Sequence, residues 1–360
     1  MQFRKQSLGL DVAKDTFSAH LMAQPLQSGA DISRGKRTFN NTPAGFKKLV
    51  HWVTAKRLPG VPLTVAMEAT GIYHESLAYH LHRADLEVAI LLPNKVKDFA
   101  RSLNRHSKTD AIDAHLIARM ALERTVETWQ PPAENLRQLR HLSRERKSLI
   151  QDKLRHTNRL HAIEHGELRA PRTAARHRAT IKLLDRQIAA IAAEMKALGE
   201  GDEELGGLLE RAQSIPRVGL LTAAAIIGET GGFALFTGRA QLIKYAGLDI
   251  IERQSGSSVL GPARISKRGN GYLRAALHMP AVGLIRNPGP FQDIYLRVYG
   301  RTKCKMKGIV AVQRKLLTVL YALVKNGQNY ETAIHRLRAK EVGGPENPPT
   351  ATATTEAVAS

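Results

Sequence analysis

The sequence predicts an α/β N-terminal domain, a helical, coiled-coil-like spacer and a mainly α C-terminal domain. Strand-like and helix-like segments alternate up to about residue 125, as they do in α/β layers. Glycine then becomes rare, and helical segments with a glycine-containing turn follow from about residue 205. We set the boundaries at 1–130, 131–204 and 205–338, and expect a disordered Pro/Thr/Ala-rich tail at 339–360.

The first region contains the segments of a sheet with covering helices. SLGLDVA and DTFSAHLMA indicate an initial hairpin, and GKRTFNN indicates a third strand. Thr42 followed by Pro43 is typical of an N-cap and a first helical position, so a helix begins there. Two short buried strands, LTVAMEA and LEVAILLP, and two helices, KVKDFARSL and TDAIDAHLIARMAL, complete the layer.

The middle region predicts a long helical hairpin, because leucine and isoleucine recur at helical spacing from 133 to about 200, with a break near GELRAPRT. From Arg137 to Arg186 there are 14 Lys or Arg against 5 Asp or Glu, so we expect a basic helical face. The segment SIPRVGLLTAAAIIGETGG then indicates two helices and a turn. It is either a helix-hairpin-helix that offers backbone N–H groups to a phosphate or an ordinary αα-hairpin.

The charge of the chain indicates a polyanionic partner. Its 360 residues have a net charge of +22, and phosphate neutralisation supplies most non-specific nucleic-acid affinity. From Arg253 to Lys315 there are 13 Lys or Arg and a single acidic residue, Asp293. Solubility and adhesion to an anionic membrane are the other uses of such charge.

Other features bound the cellular setting. The single cysteine, Cys304, excludes an internal disulfide framework and fits a reducing compartment. The longest apolar run, GLLTAAAII, is too short to span a bilayer, and the N-terminus lacks the apolar core of a signal peptide. We therefore expect a soluble cytoplasmic protein without a membrane partner.

Four acidic residues occupy positions that suit a metal site. Asp11 ends the first strand, Glu68 ends the strand LTVAMEA, and Asp110 and Asp113 share one helical face. Sites in α/β sheets gather at strand ends, and converging carboxylates repel one another unless a cation binds them. Hard oxygen ligands suit Mg²⁺ or Mn²⁺, and two such ions about 4 Å apart can clamp the attacking and leaving oxygens of a phosphodiester.

Each acidic residue also has a purely structural explanation. Asp11 could terminate a strand, Glu68 could pair with a cation, and the helix dipole favours Asp110. The combination is more specific than its members. The order strand Asp, strand Glu, helical Asp-x-x-Asp resembles that of the RNase H/RuvC-like nuclease fold.

The C-terminal region narrows the resemblance. SIPRVGLLTAAAIIGE, YAGLDIIERQSGSS and RISKRGNGYLRAALHMPA resemble the C-terminal domain of insertion-sequence transposases with a DEDD catalytic domain. These are also described as bridge-RNA-guided recombinases, and the Piv DNA invertases are related to them. The likeness extends from LGLDVAKD to about Tyr330. One departure is Arg217, which occupies a position where family members often have glycine, in Pro-Gly-Val-Gly.

The resemblance implies which residues act. The metal-binding tetrad maps onto Asp11, Glu68, Asp110 and Asp113, and a serine nucleophile in a Gln-Ser-Gly context maps onto Ser255. A serine hydroxyl needs a base or a metal for activation, and no histidine is close in sequence, so activation would come from the acidic site.

The residues alone leave the role of Ser255 open. We expect Ser255 in a Gly/Ser-rich loop, where Ser257 and Ser258 are alternative nucleophiles and a plain polar turn is the alternative to a site. Several nearby cations could bind nucleic acid and stabilise the transition state, although Arg274 could equally be a solvated cation. These candidate nucleic-acid-binding residues are Arg253, Arg264, Lys267, Arg268 and Arg274.

The expected function is that of an insertion-sequence transposase or recombinase that cuts and rejoins DNA through a Mg-dependent acidic site and a serine nucleophile. The resemblance implies further partners: DNA at the element ends and target, a structured guide RNA, and a homo-oligomer, dimer or tetramer, in the bacterial cytoplasm at the nucleoid. One alternative is a RuvC-like hydrolytic nuclease or junction resolvase, in which water attacks and Ser255 is dispensable. The other is a nucleic-acid-binding protein without catalysis.

Overall fold

The structure is a computed structural model that describes residues 2–27, 30–69, 71–103, 110–168, 170–255 and 259–331, with the backbone alone at 110–111, 252–255 and 259–263. The chain divides into two compact units, Met1–Pro131 and Pro132–Ser360. Each unit has a hydrophobic core of its own. None of the helices in the described ranges combines the length and apolar character that a membrane span requires.

The first unit is built on a five-stranded mixed sheet. Its strands are β1 (Phe3–Val12), β2 (Thr16–Pro25), β3 (Ile32–Asn40), β4 (Leu63–Glu68) and β5 (Glu87–Leu91). The strand order is β3-β2-β1-β4-β5. β2 is antiparallel to both of its neighbours, whereas β1, β4 and β5 are parallel. This arrangement fits the RNase H/RuvC-like fold that the order of the carboxylates predicted.

Helices cover both faces of this sheet. They are α1 (Pro43–Lys56), α2 (Glu75–Arg83), α3 (Pro93–Ser102) and α4 (Asp110–Glu123). Residues of α1 and α2 share a core with Leu8 and Leu10 of β1, whereas residues of α3 and α4 share a separate core with Ala66 and Ala89. The predicted N-cap is confirmed, since the Thr42 side chain accepts a hydrogen bond from the Gly45 N–H at 3.3 Å. Helix α2 was not predicted.

The second unit begins with a helical hairpin of α5 (Glu134–His165) and α6 (Pro171–Glu200). The two helices run antiparallel, as the contact of Lys153 with Asp185 and that of Glu164 with Arg178 require. Near the base of the hairpin, Leu139 of α5 lies in the core of the unit. The helical prediction for this region is therefore confirmed, while its coiled-coil character stays a prediction.

The rest of the second unit is mainly helical. After α7 (Glu203–Gln213) and α8 (Leu220–Thr230) come α9 (Arg239–Tyr245), the strands β6 (Ile250–Ser255) and β7 (Val259–Ile265), and the helices α10 (Gly271–Leu284), α11 (Pro290–Thr302) and α12 (Lys305–Asn326). A single 3-10 turn, Gly231–Phe233, follows α8. The antiparallel β6–β7 hairpin lies where the sequence predicted a polar loop. The expectation of disorder at 339–360 falls outside the described residues.

Candidate active site

Asp11 and Glu68 lie side by side at the carboxyl ends of two neighbouring parallel strands. The parallel register of β1 and β4 pairs Gly9 with Ala66 and Leu10 with Met67, and the next residues are Asp11 and Glu68. Paired residues of parallel strands project from the same face of a sheet, and successive residues alternate between faces. Asp11 and Glu68 therefore share the face on which Gly9 and Ala66 lie.

Helix α4 packs against this same face. The Ser7 hydroxyl donates to the Ala118 carbonyl at 2.7 Å. A Cβ atom at Gly9 would lie 2.1 Å from the Ala114 carbonyl oxygen and 2.4 Å from the Ala118 nitrogen. Glycine at position 9 thus allows the backbones of β1 and α4 to approach each other.

The direction of α4 brings its N-terminus to the acidic end of the sheet. Ala118 lies at the level of Ser7 and Gly9, and Ala114 lies at Gly9. Four helical residues rise about 6 Å, close to the span of two strand residues. Extending the helix by one more turn places position 110 at the level of Asp11.

Asp113 lies one turn before Ile117, which is fully buried in the same core as Ala66. This spacing directs position 113 toward the carboxyl end of β4, where Glu68 lies. Asp11, Glu68 and Asp113 are each half-buried, and each makes a polar or electrostatic contact. The backbone thus brings all four predicted acidic positions to one end and one face of the sheet.

The oxygen-only donor set suits a hard divalent cation. Among the described side chains, however, no group of three or more His, Cys, Asp or Glu residues is close enough to hold a metal ion. The side chain of Asp110, the fourth member, lies outside the described residues. The placement of the acidic positions supports a metal site, and the ligation itself stays a prediction.

A histidine pair that sequence reasoning missed lies on the same face, below the acidic end. His20 of β2 pairs with Gly9 of β1, and its ring centroid is 5.0 Å from that of His115 on α4. The His20 Nε2 atom is 2.8 Å from the Ser33 hydroxyl oxygen. Burial, together with smaller contributions from the nearby His115 and Lys36, lowers the pKa of His20 to about 4. A polar residue inside the buried strand DTFSAHLMA was the signal that could have revealed it.

Ser255 is the last residue of β6, in register with Val259 of β7. The sequence predicted a flexible loop here, but Ser255 lies on a strand at the end of a hairpin. Its side chain and the alternatives Ser257 and Ser258 fall outside the described residues. The base of the hairpin is closed by the Ser266 N–H, which donates to the Asp249 carbonyl at 2.8 Å.

The five predicted nucleic-acid-binding cations differ in their surroundings. Arg264, Lys267 and Arg268 are exposed at or just after the end of β7, whereas the side chain of Arg253 is not described. Arg274 is half-buried, and its guanidinium donates to the Ala246 carbonyl at 2.8 Å. Arg274 therefore has a contact within the fold. The role of all five cations in nucleic-acid binding stays a prediction.

The turn between α7 and α8 explains why family members often have glycine at the position of Arg217. Arg217 has a φ of 68°, a left-handed conformation that glycine adopts without strain. Its side chain packs against α10, since a Cβ at Gly283 would lie 3.1 Å from Arg217 Cγ. Whether this turn binds a phosphate, as a helix-hairpin-helix does, stays a prediction.

Comparison with known proteins places both units in one family. Residues 8–163 match the DEDD transposase family of the IS110 type. Residues 209–296 match the family described as "Transposase IS116/IS110/IS902 family". The chain is 30% identical to the pilin gene-inverting protein of Moraxella bovis, over 92% of this chain and 99% of that protein. It is 25% identical to the transposase for insertion sequence element IS1111A of Coxiella burnetii, over 90% of each chain.

Among solved structures, that of Thermus thermophilus RuvC matches 34% of this chain and 99% of its own, with 14% identity and a TM-score of 0.27. This likeness is too distant to support any conclusion beyond the one drawn from the strand order. The sequence relatives extend over nearly the whole chain, and they confirm the family that the motifs predicted. The chain belongs to the IS116/IS110/IS902 family of transposases.

Proposed function

We propose that the protein is an insertion-sequence transposase that cuts and rejoins DNA through its acidic residues and Ser255. Support for the proposal comes from the backbone, in which the four acidic positions lie at the same end of the sheet. Asp11 and Glu68 share a face through the register of β1 and β4, and α4 brings Asp110 and Asp113 to the same end. An acidic residue with a purely structural role could lie anywhere in the fold. Four acidic positions near one end of a sheet are instead typical of a catalytic site.

In this proposal Asp11, Glu68, Asp110 and Asp113 hold Mg²⁺ or Mn²⁺. A divalent ion bound there would stabilise the negative charge that develops on the attacking and leaving oxygens of a phosphodiester. The chain itself contributes the alignment. The Gly9 contact sets the distance between β1 and α4, and therefore the distance between the two pairs of acidic positions.

Ser255 is the proposed nucleophile. Its Oγ forms a bond to the phosphorus, the bond from the phosphorus to one strand oxygen breaks, and that oxygen leaves as a hydroxyl. The resulting phosphoserine keeps the energy of the ester bond, so a hydroxyl of another strand can attack the phosphorus and release the serine. The exposed cations Arg264, Lys267 and Arg268 would stabilise the charge on the phosphate.

A structured guide RNA and a homo-oligomer, dimer or tetramer, complete the proposal. Support for a second polyanion comes from charge: the helical region from Arg137 to Arg186 and the region from Arg253 to Lys315 are both strongly basic. Charge attracts RNA and DNA alike. We propose that the two basic regions hold DNA and guide RNA near the nucleoid.

The test is an SDS-resistant protein–DNA adduct in cells that carry the protein with its native flanking DNA. Wild type is compared with Ser255→Ala and Asp11→Ala. We expect an adduct in wild type and in neither variant, because the first lacks the nucleophile and the second lacks an acidic ligand. Mg²⁺-dependent cleavage by Ser255→Ala, with no adduct in any sample, would instead establish a hydrolytic nuclease.

A further inference from the structure

A buried carboxylate connects three helices of the second unit. The side chain of Glu229, near the end of α8, is only 1% exposed. Its two oxygens accept from the Arg144 guanidinium of α5, with Nε to Oε1 at 2.7 Å and Nη2 to Oε2 at 2.8 Å. Such a bidentate pair is stronger and more directional than a single hydrogen bond.

Asn270, the residue before α10, is the third member of this cluster. Its Nδ2 donates to Glu229 Oε2 at 2.7 Å and to the Tyr245 hydroxyl at 3.1 Å. Its Oδ1 caps α10 by accepting from the N–H groups of Tyr272 and Leu273, at 2.9 and 3.0 Å. Capping alone needs only the oxygen, and aspartate caps a helix as well as asparagine does. The two Nδ2 contacts are therefore additional to the cap.

This cluster adjoins the base of the β6–β7 hairpin. The Asn270 N–H donates to the Tyr245 carbonyl at 2.7 Å, and the Lys267 N–H donates to the Gly247 carbonyl at 3.1 Å. A Cβ at Gly269 would lie 2.3 Å from the Tyr245 carbonyl oxygen, so the two chain segments that enter and leave the hairpin are in close contact. Only four residues lie between Tyr245 and the first residue of β6, and only four lie between the last residue of β7 and Asn270.

We propose that Arg144, Glu229 and Asn270 are positioning residues for Ser255. They fix the base of the β6–β7 hairpin against α5 and α8, so that the end of β6 has one direction. The inference rests on the proposed function of Ser255. Hydrogen bonds around a buried carboxylate favour one arrangement, and a misplacement of about 1 Å at a reacting group can cost about 100-fold in rate.

Asn270→Asp separates positioning from capping. Aspartate keeps the cap of α10, but it loses the Nδ2 donor and places a second carboxylate against Glu229. The measurement is the rate constant for covalent adduct formation at saturating DNA, together with the Kd for the same DNA and the fraction of folded protein. We expect the rate per folded molecule to fall about 100-fold, with the Kd within about 3-fold of wild type.

Asn135→Asp is the matched control. Asn135 Nδ2 donates to Asp202 Oδ2, and Asp202 caps α7 by accepting from the Leu205 N–H at 2.8 Å. The substitution also places two carboxylates against each other in the same unit, away from the base of the β6–β7 hairpin and at a more exposed position than Glu229. We expect it to lower thermal stability and to leave the adduct rate per folded molecule unchanged.

Two further variants guard against a simple loss of folding. Asn270→Ser keeps a capping hydroxyl without adding a charge, and it should slow the adduct as Asn270→Asp does. The double variant Glu229→Gln with Asn270→Asp removes the repulsion between two carboxylates and lets the glutamine amide donate to the aspartate, although the bond from Arg144 Nη2 to Oε2 is lost and the rescue is therefore partial. We expect the double variant to form the adduct at least about 10-fold faster than Asn270→Asp alone.

The outcomes separate this inference from the proposed function. If wild type forms the adduct and Asn270→Asp and Asn135→Asp form it at equal rates per folded molecule, the inference is overturned and the proposed function stands. The inference also fails, with the proposed function intact, if the Kd for DNA rises in parallel with the loss of rate, or if the double variant is no faster than Asn270→Asp. The absence of an adduct in wild type would overturn both.

Discussion

Arg217 shows how a single departure from a family pattern has a structural cost. Its φ of 68° lies in the left-handed region, which disfavours every residue with a Cβ by about 1–2 kcal/mol relative to glycine. The Arg217 side chain lies against α10 beside Gly283. The left-handed backbone at this position accounts for the preference of the family for glycine there.

The comparison of Arg217→Gly with Arg217→Ala isolates this backbone cost. Both variants lose the arginine side chain, but only alanine retains a Cβ in the left-handed conformation. We expect Arg217→Gly to be more stable than Arg217→Ala by about 1 kcal/mol in chemical denaturation. Equal stabilities would contradict a left-handed residue 217.

His20 should make stability depend on pH. Its pKa in the folded protein is about 4, below the usual 6.5, so the unfolded chain binds the proton more readily. The folded state is therefore destabilised as pH falls from about 6.5 to about 4, by at most about 3 kcal/mol. The variant His20→Gln should lose less stability over this window, as measured by the urea midpoint at each pH. If the urea midpoints of wild type and His20→Gln changed in parallel with pH, His20 would not contribute to the pH dependence of stability.

At the scale of elements, the packing of α4 on β1 is the contact on which the acidic site depends. Gly9→Ala would place a methyl group 2.1 Å from the Ala114 carbonyl oxygen, so α4 must move. We expect a loss of about 3 kcal/mol or more of unfolding free energy and a loss of cleavage. Gly300→Ala, in α11 and with no atom within 4 Å of the added Cβ, is the control. It should stabilise by about 0.5–1 kcal/mol, and a harmless Gly9→Ala would contradict the close approach.

The elements that the sequence predicted are those with a strong periodic signal. The segments that form β1 and β2 contain apolar runs or alternating apolar and polar residues between clear turns, and Thr42-Pro43 marks the start of α1. The β6–β7 hairpin was missed because its centre, QSGSS, has the composition of a loop, and its strands pair only with each other among the described strands. Helix α2 was missed because it has nine residues, three of them histidine or arginine in its last turn, and no side-chain cap at His74.

The candidate site was predictable in part for the same physical reason. Strand-end positions fix where Asp11 and Glu68 lie, and the helical spacing puts Asp110 and Asp113 on one face. Contacts between residues far apart in sequence leave no local signal. The pairing of His20 with His115 and the network from Arg144 through Glu229 to Asn270 therefore required the structure.

At the scale of the whole molecule, a charge of +22 implies that binding of nucleic acid weakens steeply with salt. Arg159 is exposed on α5, within the basic helical region. We expect Arg159→Ala to reduce the slope of log affinity against log salt by about 1, the value for one lost phosphate contact. Lys48→Ala, exposed on α1 on the opposite face of the sheet from the acidic site, should leave the slope unchanged. Equal slopes for the two variants would contradict a nucleic-acid-binding role for this part of the α5–α6 hairpin.

The central claim is that Ser255 carries the DNA during strand exchange, and the identity of the residue that bears the DNA tests it most directly. The adduct would be trapped by denaturation, digested with nuclease and protease, and sequenced by mass spectrometry. We expect a nucleotide on Ser255, formed only when Asp11 and Glu68 are intact. A nucleotide on Ser257, Ser258 or a tyrosine, or cleaved DNA with no attached peptide, would contradict it.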